Sequence, residues 1–239
     1  MKILIKLLFP LSSIISFSQE ITGNELLAKT IQFHDPENNW STFAGTFLVT
    51  MKTPNQSPRI SKITVNLPNE YFRVRATRDS ISNIYELDKK KCSTSTIGLQ
   101  FKKELTEEEW KKKIEEDCKK ANVYKNYYTY LYGLPMKLKD DGTIIHQKVE
   151  KRKFKEKEYL VLKATYNKEV GKDIWYFYFN PKTYAMEVYQ FFKKTKDSGE
   201  YIVLSGLETI NNIKMPKVRT WYYNKDNKYL GTDTLSITK

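Results

Sequence analysis

The sequence predicts a mainly β (α+β) fold in which a single curved antiparallel sheet of about 11 strands wraps helices. Short segments of alternating apolar and polar residues recur between polar turns, which is typical of consecutive antiparallel strands. Only two segments show the spacing of an amphipathic helix. Aromatic residues make up 14% of the 239 residues, and large rings favour strands.

Residues 1–18 have the features of a secretory signal peptide. Two lysines precede a short apolar segment, and Ser16 and Ser18 occupy the small-residue positions before a cleavage site at Gln19. The segment is too short to span a membrane. We therefore expect residues 19–239 to form one soluble domain, exported to the periplasm or outside the cell after cleavage near Ser18. The alternative is that the segment is a buried helix or strand of the domain.

Export would place the two cysteines in an oxidising compartment, where a disulfide can persist. Cys92 and Cys118 are the only cysteines in the chain, and an even number in an oxidising compartment predicts a disulfide between them. The alternative is a pair of buried free thiols. A redox role is disfavoured because the two residues do not form a C-x-x-C motif.

The chain is strongly basic, with 41 lysines and arginines against 28 acidic residues and a net charge of +13. Such a charge would suit nucleic acid, but export and the spread of the lysines along the chain argue against that partner. We expect no nucleic acid and a monomeric protein. Peripheral contact with an anionic membrane surface or with envelope proteins stays open.

The first helix is predicted at residues 24–33, capped by Asn24 and ended by Pro36. His34 and Asp35 follow it and are the first candidates for chemistry. A histidine at a helix C-terminus is favoured by the helix dipole, which explains His34 without a catalytic role. No cluster of further ligands has metal-site spacing, so we predict no metal, no cofactor and no catalytic residue.

Strands are predicted on both sides of a second helix. Before it the pattern gives strands at 42–50, 60–67, 71–76 and 80–87. After it the pattern gives strands at 144–154, 158–166, 173–180, 184–193, 200–210, 214–223 and 230–237. The segment 174–179 carries large rings on both faces, which predicts a strand inside the sheet that is covered on both sides.

The second helix is predicted at residues 106–132. Thr106 and Glu109 form a capping box at its start, and Gly133 and Pro135 end it. Two apolar stripes follow at helical spacing: Trp110, Ile114, Cys118 and Ala121, then Tyr124, Tyr127, Tyr128, Leu131 and Tyr132. The tyrosine stripe predicts packing with polar tips at a rim, and the wall of an apolar cavity is the alternative.

Four segments resemble an uncharacterised family (a domain of unknown function) of exported bacterial proteins, many of which look like lipoproteins. They are HDPENNW at 34–40, YLYGLPMKLKDDGT at 130–143, WYFYFNPKTYAMEVYQFF at 175–192 and LGTD at 230–233. The layout of the chain is similar to the LolA-like fold of lipoprotein carriers and outer membrane lipoprotein-sorting proteins. The resemblance implies a half-open barrel that holds acyl chains under a helical lid. Because no cysteine follows the predicted cleavage site, membrane anchoring is not expected.

We therefore expect a periplasmic carrier for an apolar ligand, a lipid or an acylated, lipoprotein-like molecule, held between sheet and helices. The alternatives are an envelope protein-interaction domain with a solid core and, less favoured, a hydrolase using His34 or His146. Asp233 has no assigned role. The residues expected to line the cavity are Phe47, Val49, Phe72, Tyr128, Leu131, Leu134, Pro135, Met136, Trp175, Phe177, Phe179 and Phe191.

Overall fold

The computed structural model describes residues 20–98, 105–193, 195 and 197–237. The predicted signal peptide at 1–18 therefore lies outside the described residues. Two α-helices, α1 at Gly23–His34 and α2 at Glu107–Gly133, are accompanied by short 3-10 helices at Asn39–Thr42 and Met136–Lys139. Both α-helices lie within one residue of their predicted positions.

The described strands form one sheet of 13 antiparallel strands, which confirms the predicted mainly β class with a single antiparallel sheet. The first five are β1 Ala44–Lys52, β2 Arg59–Asn66, β3 Tyr71–Arg78, β4 Ile81–Asp88 and β5 Lys91–Ile97. The other eight are β6 Thr143–Ile145, β7 Glu150–Phe154, β8 Lys157–Tyr166, β9 Ile174–Phe179, β10 Met186–Phe192, β11 Glu200–Ile210, β12 Ile213–Tyr223 and β13 Tyr229–Ile237.

The strand count exceeds the expected number for two reasons. β5 is a polar edge strand of mostly serine and threonine, and its sequence lacks the apolar alternation that identifies the others. The predicted strand at 144–154 is divided into β6 and β7, which pair with consecutive parts of β8. The division occurs where the carbonyl of Gln147 accepts a hydrogen bond from the backbone N–H of Gly23, at 2.8 Å, at the start of α1.

The order of strands places the first and last strands side by side. It runs β5-β4-β3-β2-β1-β13-β12-β11-β10-β9-β8-β6, and β7 also pairs with β8. β1 pairs with β13 from Phe47 opposite Ile237 to Lys52 opposite Thr232. Two antiparallel meanders therefore extend in opposite directions from this central pair.

The start of α1 differs from the prediction. Thr22, not Asn24, is the N-cap, and it forms a capping box with Glu25. The Glu25 N–H donates to Thr22 Oγ1 at 3.3 Å and the Thr22 N–H donates to Glu25 Oε2 at 2.8 Å. The reciprocal pair satisfies two backbone donors, whereas a single asparagine cap satisfies one.

The two halves of α2 are packed differently. The predicted capping box between Thr106 and Glu109 is present, with the Glu109 N–H donating to Thr106 Oγ1 at 3.2 Å. The second half presses Tyr128 and Tyr132 into the sheet. In the first half the predicted apolar stripe is largely at the surface, since Trp110 is 42% exposed. This half lies over β4 and β5, near the polar edge of the sheet.

Gly133 has a different role from the predicted one. It is the last residue of α2, and the C-cap is Leu134 in an extended conformation. A Cβ at Gly133 would lie 2.2 Å from Cζ2 of Trp40. Glycine is therefore required by the close approach of the indole, and not by a left-handed turn.

Apolar side chains cover the concave face of the sheet and part of its outer face. The main core fills the concave face under the helices and contains residues of β1–β4, β8–β13 and α2. A smaller cluster on the outer face joins Tyr159, Val161, Tyr178 and Val188, with Phe154 and Tyr176 packed against it. β9 pairs with β8 and β10 and contributes to both clusters, which confirms that it lies inside the sheet and is covered on both sides.

The predicted disulfide is present. Cys92 of β5 is bonded to Cys118 of α2, with their Cα atoms 6.0 Å apart. It joins the first half of α2 to the edge strand, where polar residues offer little apolar contact.

Removing this bond should lower stability by roughly 3 kcal/mol, because the unfolded chain gains the freedom of a loop closed over 26 residues. Urea unfolding of the C92S/C118S double variant measures the loss. Reduced wild-type protein is the matched control and should unfold at the same midpoint as the variant. An unchanged midpoint in both would show that α2 is held by packing alone.

Candidate functional site

Two clefts border α2, and the larger of these two has a volume of about 700 Å³ and lies between the second half of α2 and strands β9, β10 and β12. Eight of its 18 lining residues are aromatic or aliphatic, and the others are polar, charged or glycine. The eight are Tyr127, Tyr130, Leu131, Tyr166, Val170, Trp175, Phe191 and Trp221. A volume of this size is typical of small-molecule sites.

The aromatic walls are held in place by contacts with one another. Trp175 stacks on Phe191 with ring centroids 4.8 Å apart, and Tyr130 of α2 meets Trp175 edge-on at 5.5 Å. On the other side Trp221 stacks on Tyr127 at 6.3 Å. Offset and edge-to-face pairs of this kind stabilise ring positions. The cleft is therefore preformed.

The polar groups of the larger cleft include charged residues of both signs. They are Lys137, Asp140, Asp141, Lys172, Asp173 and Lys193. Lys137 forms an ion pair with Asp140. The hydroxyls of Tyr130 and Tyr166 are hydrogen-bonded to each other, and burial raises the pKa of Tyr166 to about 12. Both tyrosines are therefore neutral at physiological pH, so the inner wall carries no phenolate charge.

A second cleft of about 610 Å³ lies on the other side of Tyr127, between α2 and the ends of β1 and β2. Its lining combines three cations with tyrosines and two aliphatic side chains. The residues are Met51, Arg59, Tyr85, Lys119, Lys120, Val123, Tyr124 and Tyr127. Tyr127 thus borders both clefts.

Charged groups also lie inside the core beside Tyr127. The Tyr127 hydroxyl donates to Asp233 Oδ2 at 3.0 Å, and Asp233 is 1% exposed. Burial raises the pKa of Asp233 above its usual range, and the Tyr127 hydrogen bond opposes that rise. Opposite Asp233 on β12, Arg219 is fully buried and donates to the carbonyls of Pro216 and Leu131 at 2.8 and 3.1 Å.

The sequence pattern does not by itself single out Arg219, and it leaves Asp233 without a role. The signal for Arg219 is its position in the alternation of β12, where it follows the core residues Ile213 and Met215 at intervals of two or four. A single arginine in such a register is easily taken for an exposed residue, because arginine is seldom buried. Its guanidinium lies 3.9 Å from the ring centroid of Tyr132, which covers its face.

The residues predicted to line a cavity fall into two groups in the structure: some line a cleft and the others lie in the packed core. Leu131, Trp175 and Phe191 line the larger cleft. The other nine line neither of the two clefts described and are buried: Phe47, Val49, Phe72, Tyr128, Leu134, Pro135, Met136, Phe177 and Phe179.

The second half of α2 fills the space above β1–β3. Phe47 contacts Tyr132 with ring centroids 5.1 Å apart, and Phe72 stacks on Tyr128 at 6.5 Å. These rings are 1% exposed or less, so this part of the interior is packed. Leu134 and Met136 were expected at a cavity mouth, but they lie in the core beneath the end of α2.

His34 and Asp35 hold the first helix to the sheet. His34 is fully buried, and its Nε2 accepts from the backbone N–H of Met186 at 3.0 Å. The ring proton must then be on Nδ1, which donates to the carbonyl of Lys214 at 2.6 Å. The Asp35 carboxylate accepts from the backbone N–H groups of Asn39 and Trp40 at 2.7 and 2.9 Å. All these contacts are structural.

His146, the other histidine, contacts Thr165 through Nε2 at 3.1 Å, between β6 and β8. Within the described ranges no three histidine, cysteine or carboxylate side chains come together as a metal-binding group. No helix in those ranges is long and apolar enough to cross a bilayer.

The fold and its clefts define a mainly β protein in which a curved sheet and a covering helix enclose ligand-sized spaces. The chain belongs to DUF6503, a family of unknown function, whose model matches residues 2–237. No curated protein matches the sequence.

Three solved structures are similar to this chain. A LolA superfamily protein from Nitrosomonas europaea is 11% identical, with a TM-score of 0.49, and the match covers 92% of this chain and 95% of that one. A DUF1329 family protein from Desulfovibrio piger is 9% identical, with a TM-score of 0.47 and 90% of each chain covered. A domain from Vibrio parahaemolyticus, described as a candidate outer membrane lipoprotein-sorting protein, is 8% identical, with a TM-score of 0.47 and coverage of 91% and 94%.

His34 should make stability depend on pH. Burial lowers its pKa from 6.5 to about 4, so the unfolded chain binds a proton in that window while the folded chain does not. The contribution of the neutral His34 ring to the free energy of unfolding is therefore fully present above pH 6.5. It is lost as pH falls towards 4, by about 3 kcal/mol in total.

Urea unfolding at several pH values tests this dependence. Wild-type protein should lose about 2 kcal/mol between pH 7.5 and pH 5, and an H34Q variant should lose less, because glutamine does not titrate. If H34Q does not fold, proton NMR of the His34 ring in wild-type protein replaces it. A ring that titrates near pH 6.5 would contradict the prediction.

Proposed function

We propose that this protein is an exported binding or carrier protein for a lipid or acylated ligand, whose acyl chain lies in the larger cleft. The observation that carries the proposal is the wall formed by the stacked rings of Trp175 and Phe191 and the edge-on ring of Tyr130, between α2 and the sheet. Wide apolar surfaces in a concave site are typical of pockets for apolar ligands.

Binding in this cleft would be driven by removal of apolar surface from water. Each buried methylene contributes about 0.8 kcal/mol, which is about a fourfold change in Kd. The rings are held by one another and lose little freedom when a ligand enters. The lysines at the border of this space are accompanied by as many aspartates, so the cleft itself favours neither sign of charge on the ligand: Lys137, Lys172, Lys193, Asp140, Asp141 and Asp173.

The alternative is an envelope protein-interaction domain with a solid core. The packing of Tyr128 and Tyr132 on Phe72 and Phe47 favours this alternative for the β1–β3 side of the interior. The larger cleft favours the carrier, because a purely packed core would not need rings exposed in a concave space. The two functions differ in whether an acyl chain binds.

Quenching of tryptophan fluorescence by a brominated fatty acid tests the carrier proposal. Trp175 and Trp221 line the larger cleft, whereas Trp40 is buried beside Gly133 and Trp110 lies on the first half of α2. A brominated chain in the cleft should quench the first pair. The W175F/W221F variant should lose this quenching and still bind, since phenylalanine keeps an apolar wall.

A matched control and a length series make the test specific. Tyr176 follows Trp175 in β9 but packs on the outer face, so Y176F should leave quenching unchanged. Shortening the chain by two methylenes should weaken binding by up to about fifteenfold while the chain is fully inside the cleft. Saturated quenching with no dependence on chain length, or no quenching at all, would contradict the proposal.

Export has its own test. When the gene product with its leader is produced in a Gram-negative host, the mature protein should begin at Gln19, as intact mass spectrometry of the periplasmic fraction would show. Substituting both Ser16 and Ser18 by phenylalanine should block cleavage, because the enzyme requires small residues there. Recovery of the uncleaved wild-type chain in the cytoplasm would contradict export.

A further inference from the structure

The second cleft lies over part of a row of five side chains on the concave face of the sheet, and four of the five are charged. In the strand registers Asp233 lies opposite Met51, Met51 opposite Arg59, and Arg59 opposite Arg78. Residues directly opposite each other in an antiparallel pair project from the same face. Arg219 extends the row on the other side of Asp233.

The row faces α2 and not the outer surface. Arg59 has the same parity in β2 as the buried residues Ser61 and Ile63. Arg78 has the same parity in β3 as the buried residues Val74 and Ala76. Both guanidinium groups therefore project towards the space under the long helix.

The two arginines are incompletely bonded. Arg59 Nε and Arg78 Nε are buried and have no hydrogen-bond partner. Arg59 Nη1 is 3.5 Å from the Tyr124 hydroxyl, and Arg78 Nη1 donates to Gln56 Oε1. In the described part of the chain, neither guanidinium forms an ion pair with a carboxylate.

Burial disfavours the charge of Arg59, but Tyr128, Tyr124 and Asp233 outweigh it and raise the pKa of Arg59, so the guanidinium is charged. The arginine pair still has two local costs. Like charges directly opposite on neighbouring strands repel, and a buried donor without an acceptor costs free energy. An anion at this position would relieve both costs. Arginine suits phosphate and carboxylate especially well because its planar group presents several donors at once.

The charged side chains that line the second cleft are also positive. The eight described residues around it include the cations Arg59, Lys119 and Lys120 and no carboxylate. The lysines have partners on their own helix, since Lys119 pairs with Glu115 and Lys120 with Asp117. The arginines consequently carry the inference, and the lysines add to the field at the cleft entrance.

We propose that the second cleft is an anion site that binds the phosphate head group of an amphipathic ligand through Arg59, with Arg78 beside it. Tyr127 borders both clefts, which places this site next to the proposed chain site. Attachment of the phosphate to an acyl chain rests on the proposed function, whereas anion binding itself rests on the arginine pair.

Calorimetric titration with three probes tests the proposal. They are an acylglycerol phosphate, the acylglycerol of the same chain length, and inorganic phosphate. The phosphorylated lipid should bind wild-type protein about tenfold more tightly than the neutral one, as expected for charge-assisted hydrogen bonds. R59Q should remove this preference and leave binding of the neutral lipid within about twofold.

Two further variants control for charge and folding. Arg75 lies on the opposite face of β3, where it donates to Ser82 Oγ at 3.3 Å, so R75Q removes the same charge and should keep the preference. The K119Q/K120Q variant changes exposed helix residues only and should reduce the preference several-fold even if R59Q does not fold.

The outcomes separate the two proposals. Equal binding of both lipids by wild-type protein would overturn the anion site and leave the carrier intact. Binding of inorganic phosphate that R59Q abolishes, without binding of either lipid, would support the anion site and overturn the carrier. Equal loss of preference in R59Q and R75Q would show a general charge effect and overturn the site.

Discussion

The pairing of β1 with β13 is the interaction on which the rest of the sheet depends. One set of strands extends from β1 and the other from β13, so this ladder joins the two halves. It brings together residues from opposite ends of the described chain, and bringing them together costs loop entropy. Burial of Val49 opposite Leu235 on the concave face offsets that cost. The same register aligns Asp233 with Met51, and through it with Arg59.

Helix α2 packs tightly on one part of the sheet and leaves a cleft along another part. Successive residues of an α-helix project about 100° apart, so neighbours in α2 meet different parts of the sheet. Tyr128 and Tyr132 pack on the rings of β1 and β3 and fill that side. Tyr127 and Tyr130 point towards β9, β10 and β12, where the larger cleft remains. The tyrosine stripe therefore combines the packing role and the cavity-wall role that its sequence left as alternatives.

Buried polar groups divide into those that are satisfied and those that are not. Both nitrogens of His34 are hydrogen-bonded, and both oxygens of Asp35 accept from backbone N–H groups. Such groups stabilise a fold without needing a ligand. Arg59 lines the second cleft, Arg78 lies opposite it in the sheet, and each retains a buried donor with no acceptor. The proposed anion site therefore uses the arginines, whereas the hydrogen bonds of His34 and Asp35 are already complete within the protein.

Local sequence determined both helices and the strands with clear alternation, because periodicity and capping boxes depend on residues close together in the chain. It also determined the cysteine pair, because a chain with only two cysteines allows a single pairing whatever the strand register. Tertiary structure decided the remainder. β5 is a strand because β4 offers a partner, although its own residues are polar. Phe47 and Trp175 have similar local patterns, but α2 covers one and leaves the other at a cleft. The arginine row exists only because strands distant in the chain are paired in one register, which no local pattern contains.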